Sequence, residues 1–153
     1  MKKIIAAVAA LMLPVLAFAA QPKSFGLRMG PGLEISYQHQ MNASQFLEFD
    51  AGVIGFSDYP GFRLSAAYDF DVLSFELLRG EFNMFIGPGL SAGMYDKSLF
   101  AAGLMVQYGV SYAFPGVPVS IAIDTCPTLW FSADGAILKA KSLTPMFSLR
   151  WDF

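Results

Sequence analysis

The chain has 153 residues, of which 55% are hydrophobic, 15% aromatic and only 14% charged. Soluble domains average about 25% charged residues, so this composition argues against disorder, a coiled coil and an ordinary cytosolic globule. The net charge of -2 does not invite nucleic acid, and a single Cys with a single His excludes a disulfide scaffold, a zinc finger and any site built from several imidazoles or thiolates.

The first segment reads as an address. Met1-Lys2-Lys3 is a short basic region, Ile4 to Phe18 is apolar except for Pro14, and Ala17-Phe18-Ala19 fits a small-x-small cleavage pattern. Residues 1–19 are expected to be a cleaved signal peptide, with Ala20 as the alternative last residue. The apolar run is short for a spanning helix, which needs about 20 residues. Residues 20–153 then form a single domain.

Beyond residue 20 the dominant pattern is alternation. Along 24–30 and 32–40, Leu33, Ile35 and Tyr37 oppose Glu34, Ser36 and Gln38. Over 45–54, Leu47, Phe49, Ala51 and Val53 oppose Phe46, Glu48, Asp50 and Gly52. Over 61–70, Phe62, Leu64, Ala66, Tyr68 and Phe70 oppose Arg63, Ser65, Ala67 and Asp69. Strands are also expected at 81–95, 99–114, 117–130 and 142–153. In the clearest of these, every second residue from Phe100 to Phe114 is apolar or aromatic, and those between are small or weakly polar. Period two means a strand with two unlike faces. Whether 24–40 is one strand or two depends on Gly30-Pro31-Gly32. The even strand number of single-chain bacterial barrels favours the split. Residues 41–44, 71–80 and 114–118 would then be periplasmic turns, and 55–60, 96–98 and 131–141 outer loops. Pro88, Pro127 and Pro145 interrupt otherwise good strands and mark bulges or strand ends.

The faces decide the solvent. In a soluble ligand-binding barrel the apolar set would fill the lumen. Here that set is too bulky for a small lumen, and the other set, mainly Gly, Ala and Ser, makes a poor wet surface. The reverse assignment places bulky residues against lipid and small or charged residues inside. The expected fold is all-β, an eight-stranded antiparallel up-and-down transmembrane β-barrel. Its interior polar network would contain Arg28, Glu34, Glu48, Asp50, Arg63, Asp69, Asp124, Arg150 and Asp152, with Arg63 within cross-strand reach of Asp50. Arg28, Arg150 and Asp152 would lie near the seam of the first and last strands. Tyr37, Tyr68, Tyr108, Tyr112, Phe114, Trp151 and Phe153 would supply an interfacial aromatic girdle.

The carboxy-terminal Phe147, Leu149, Trp151 and Phe153 alternate toward a terminal aromatic. This resembles the last strand of bacterial outer-membrane proteins. With the leader, the chain is similar over its whole mature length to small eight-stranded barrels of the OmpA/OmpX type. Gly26-Leu27-Arg28 and Glu34 to His39 also look like an uncharacterised subgroup of small Gram-negative barrels. The resemblance implies a place in the cell outer membrane. It also implies delivery by periplasmic chaperones and insertion by the barrel assembly machinery, with Phe153 as the key recognition residue.

Few residues suggest chemistry. His39, outward by parity near the periplasmic interface, lacks a second imidazole or thiolate for a metal. Lipid A deacylases resemble this scaffold but carry His-x-Ser, whereas this chain has His39-Gln40-Met41. Cys126, inward beside Pro127, reads as a small packed thiol. No catalytic residue, cofactor or metal is expected. The chain reads as a monomeric, non-enzymatic envelope protein that meets outer-membrane lipids and supports envelope integrity or surface interaction. Alternatives are a lipid-modifying enzyme and a narrow pore or carrier for small apolar molecules.

Overall fold

The computed structural model describes residues 22–55, 61–95, 99–132, 135–138 and 143–153. The expected signal segment, the loop at 96–98, all but Gly55 of the loop at 55–60 and part of 131–141 lie outside these residues. Ten strand segments follow one another: β1 (Lys23–Met29), β2 (Gly32–Asn42), β3 (Gln45–Ile54), β4 (Gly61–Leu77), β5 (Gly80–Tyr95), β6 (Leu99–Ala113), β7 (Val119–Thr125), β8 (Thr128–Ser132), β9 (Gly135–Leu138) and β10 (Met146–Asp152). They build eight staves. Cys126-Pro127 separates β7 from β8 within one stave, since both pair with β6. The last stave holds β9 against β8 and β10 against β7.

All pairings are antiparallel, and β1 with β10 closes the ring. The split at Gly30-Pro31 is present, with Met29 opposite Leu33. Closure leaves the mid-barrel backbone paired on both sides, and eight strands enclose a lumen about as wide as packed side chains. The alternating faces take opposite environments. Phe25, Leu27, Ile35, Phe49, Leu64, Leu90, Leu104 and Trp151 are exposed on the outer wall. Arg28, Glu34, Glu48, Asp69 and Gln107 are at most 1% exposed inside.

Interior rows alternate large and absent side chains. Glycines 26, 52, 87, 89, 93, 103 and 109 each stand opposite at least one long residue on a neighbouring strand. At Gly52 an added Cβ would lie 2.9 Å from Glu34 Cγ and overlap the Leu33 carbonyl oxygen; at Gly26 it would lie 2.7 Å from Arg150 Cα. Missing side chains make room for the long ones opposite.

Most of one expected loop, and the described part of another, are strand instead. The span 71–80 continues the β4–β5 hairpin to Leu77 opposite Gly80. A bulge between Asp71 and Leu73 moves the outward set from even to odd numbers, so Leu73, Phe75 and Leu77 carry on the pattern out of phase with Phe70. The turn is only Leu78-Arg79, with φ of 51° and 68°. No glycine or asparagine announces it, although two-residue hairpins of this hand favour them. In 131–141, Phe131 pairs with Ala136 and Ser132 with Gly135. Pro88 keeps its pairing to Val106 of β6, while β4–β5 pairing lapses at Tyr68-Asp69 opposite Gly87-Pro88. That is where proline has no N–H to give.

Candidate functional site

The interior charge cluster concentrates the polar chemistry of the described residues. Three guanidiniums, Arg28, Arg63 and Arg150, share the lumen with five buried carboxyl groups, Glu34, Glu48, Asp50, Asp69 and Asp124. Inward parity on β1, β2, β3, β4, β7 and β10 positions them. The tilt of the strands then stacks side chains from different rows.

Arg28 is the hub. Its Nε donates to Asp124 Oδ1 at 3.3 Å, and its Nη2 donates to Asp124 Oδ2 in a close ion pair. Nη1 donates to Asp50 Oδ2 at 2.9 Å and to Glu34 Oε2 at 3.3 Å. Nη2 also lies 2.8 Å from Cys126 Sγ. One planar, always-charged fork thus ties β1 to β2, β3 and β7, a role that suits Arg better than Lys.

Arg63 grips Glu34 with two bonds of 2.7 Å, from Nε and from Nη2. The expected partner, Asp50, is instead turned to Arg28 and accepts from Ser65 Oγ at 3.3 Å. The cause is local. Gly52 stands opposite both Arg63 and Glu34, so the guanidinium reaches over the glycine to the carboxylate beyond. Arg150 repeats the device over Gly26: its Nε donates to Ser36 Oγ at 3.2 Å, and Nη2 donates to Glu48 Oε1 at 2.6 Å. Glu48 also accepts from Gln38 Nε2 at 2.7 Å and Ser36 Oγ at 3.2 Å.

Two residues stand apart. Asp69 is fully buried, yet neither of its carboxyl oxygens has a hydrogen-bond partner among the described residues. Asp152 is half-buried at the seam, outside the cluster, where it accepts from Ser120 Oγ at 3.1 Å. Parity put Ser36, Gln38, Ser65 and Gln107 on the inward face, but the expected polar network left them out. Their parity with the charged set was the available signal.

Aromatic and sulfur side chains cap the cluster. Phe46 and Phe85 meet edge to face, with centroids 5.5 Å apart, toward the end that carries both β1's start and β10's finish. Met146 and Trp130 are buried toward the other end. His39 keeps its outward parity but is covered by its neighbours. It is 3% exposed, packed with Tyr37, whose hydroxyl lies 3.4 Å from Nδ1, and flanked by Lys23 and Leu47 on the neighbouring strands. Cys126 is a buried free thiol whose Sγ lies 3.5 Å from Asp124 Oδ2. Phe147, Leu149, Trp151 and Phe153 are exposed along the outer wall.

Among the described residues no group of three or more His, Cys, Asp or Glu is arranged to hold a metal. The cluster's three guanidiniums offset part of the charge of its five carboxyl groups, and the side chains together occupy the lumen and tie neighbouring strands in register. The hydroxyls of Ser36 and Ser65 and the thiol of Cys126 face carboxylates within this buried interior. Comparison with protein-family models, with curated proteins and with solved structures found no match. The class the geometry defines is a closed eight-stranded antiparallel β-barrel with a charged, filled core and an apolar outer wall.

Proposed function

We propose that this chain is a non-enzymatic outer-membrane β-barrel protein. In this reading its leader exports it, periplasmic chaperones and the barrel assembly machinery fold it into the bilayer, and it supports envelope integrity or surface interaction without an open pore. One observation carries the reading: ion pairs fill the core while Leu, Ile, Phe and Trp side chains cover the outside. In water that arrangement exposes a large apolar surface, which soluble monomers avoid. In lipid the same surface is solvated, and a closed sheet meets the demand that every backbone N–H and C=O be paired. The filled lumen supports a structural or surface role over conduction.

The test is fractionation and folding. The full chain, expressed with its leader in a bacterium that has an outer membrane, is expected in the detergent-resistant outer-membrane fraction. It should migrate faster on gels before boiling than after. Recovery as a freely soluble monomer without detergent would refute the reading. Single-channel recording in planar bilayers is expected to show no stepwise conductance.

A further inference from the structure

The apolar outer wall differs in height around the barrel. On β1 the outward residues are Lys23, Phe25, Leu27 and Met29, and the strand ends in the Gly30-Pro31 turn. The apolar part, Phe25 to Met29, is four residue steps. At about 3.3 Å per step and a tilt of about 40°, it covers only about 10 Å along the barrel axis. On β10, Phe147 to Phe153 covers about 15 Å by the same reckoning. Across the barrel, outward residues run from Phe100 to Phe114 along β6, fourteen steps, for about 35 Å. β4 and β5, of 17 and 16 residues, continue that tall side. A membrane strand usually needs about 9–11 residues and an apolar band about 25 Å tall. β1 and β10 have 7 each.

We propose that the seam wall of β1 and β10 thins the bilayer beside it, so that its lipid partner is a locally compressed leaflet pair. This inference rests on the membrane reading above. The occupant follows from length and charge. Exposed Phe25, Leu27, Met29, Leu149 and Trp151 need acyl chains against them. A full-thickness bilayer would also bury Lys23 at one end of the wall or the turn's backbone at the other, and either is costly in hydrocarbon. Lipid compression costs only a fraction of that per ångström.

The full chain, folded into phosphatidylcholine vesicles of increasing acyl length, tests this. Unfolding is expected to be roughly tenfold faster in the thickest than in the thinnest vesicles. Inserting two alternating residues on each side of Gly30-Pro31 should move the optimum to thicker vesicles. A second reading, which does not need that variant to fold, uses lipids brominated at shallow or deep acyl positions. Trp130 is enclosed in the lumen, so the quenchers report Trp151 alone. In Met29→Trp with Trp151→Phe they report the other end of the wall. Both positions should be quenched best by shallow bromines. In a flat bilayer at least one end of so short a wall must lie deep, so strong quenching by deep bromines at either end would overturn the thinning. Thickness-independent unfolding of a properly inserted barrel would do the same and leave the membrane reading standing. Failure to insert into any vesicle would overturn both.

Discussion

Replacing Arg28 with Met is the sharpest probe of the core. The substitution keeps much of the side-chain volume and removes the charge. Among the described residues it takes away the guanidinium paired with Asp124 and the one paired with Asp50, and removes one of two from Glu34. Breaking a buried pair by deleting one partner costs about 3–5 kcal/mol, because the remaining charge is stranded. Two carboxylates lose their partner here, so the upper half of that range is expected, a large share of a typical total of about 5–15 kcal/mol. Arg63→Met should cost less, since Glu34 keeps Arg28 at 3.3 Å. The assay is urea unfolding in vesicles, followed by the fluorescence of buried Trp130 and by the gel shift. The double variant Arg28→Met with Asp124→Asn should recover part of the loss, because the amide leaves no stranded charge at that position. A loss under about 1 kcal/mol for Arg28→Met, or no recovery in the double variant, would show that the ion pairs do not hold the core together.

Other positions test other layers of the argument. Gly52→Leu should prevent formation of the heat-modifiable species, because even its Cβ overlaps the Leu33 carbonyl and crowds Glu34. Leu78→Asn with Arg79→Gly should stabilise the β4–β5 turn by about 0.5–1 kcal/mol in urea unfolding, by relieving two left-handed non-glycine residues. Leu104→Arg, in the middle of the tall outer wall, should cost about 2–4 kcal/mol in vesicles; a neutral or stabilising effect there would argue for a wet exterior.

The fold was largely legible because period two survives in this chain with little noise. Seven of the eight staves were readable from alternation alone, and Gly30-Pro31-Gly32 supplied the eighth. Legibility failed where the phase changes without a turn signal. The bulge at Asp71 switched the outward set from Phe70 to Leu73, and a two-residue turn of Leu and Arg closed the hairpin. A reading tied to one phase ends the strand at the bulge and invents a loop.

The interior cluster shows a different limit. Parity told which residues enter the lumen, since it depends only on position along one strand. It did not tell who binds whom, because partners are chosen across several strands and by the space left between them. Asp50 lies on the strand next to Arg63 and diagonal to it, and Glu34 lies one strand further, yet Arg63 passes Asp50 and reaches Glu34. The deciding residue is Gly52, which contributes no polar atom and leaves the path clear. Gly26 does the same for Arg150 and Ser36. In a lumen this narrow the glycines set the wiring of the charges, so a sequence reading of such a core should begin from its gaps and only then assign its ion pairs.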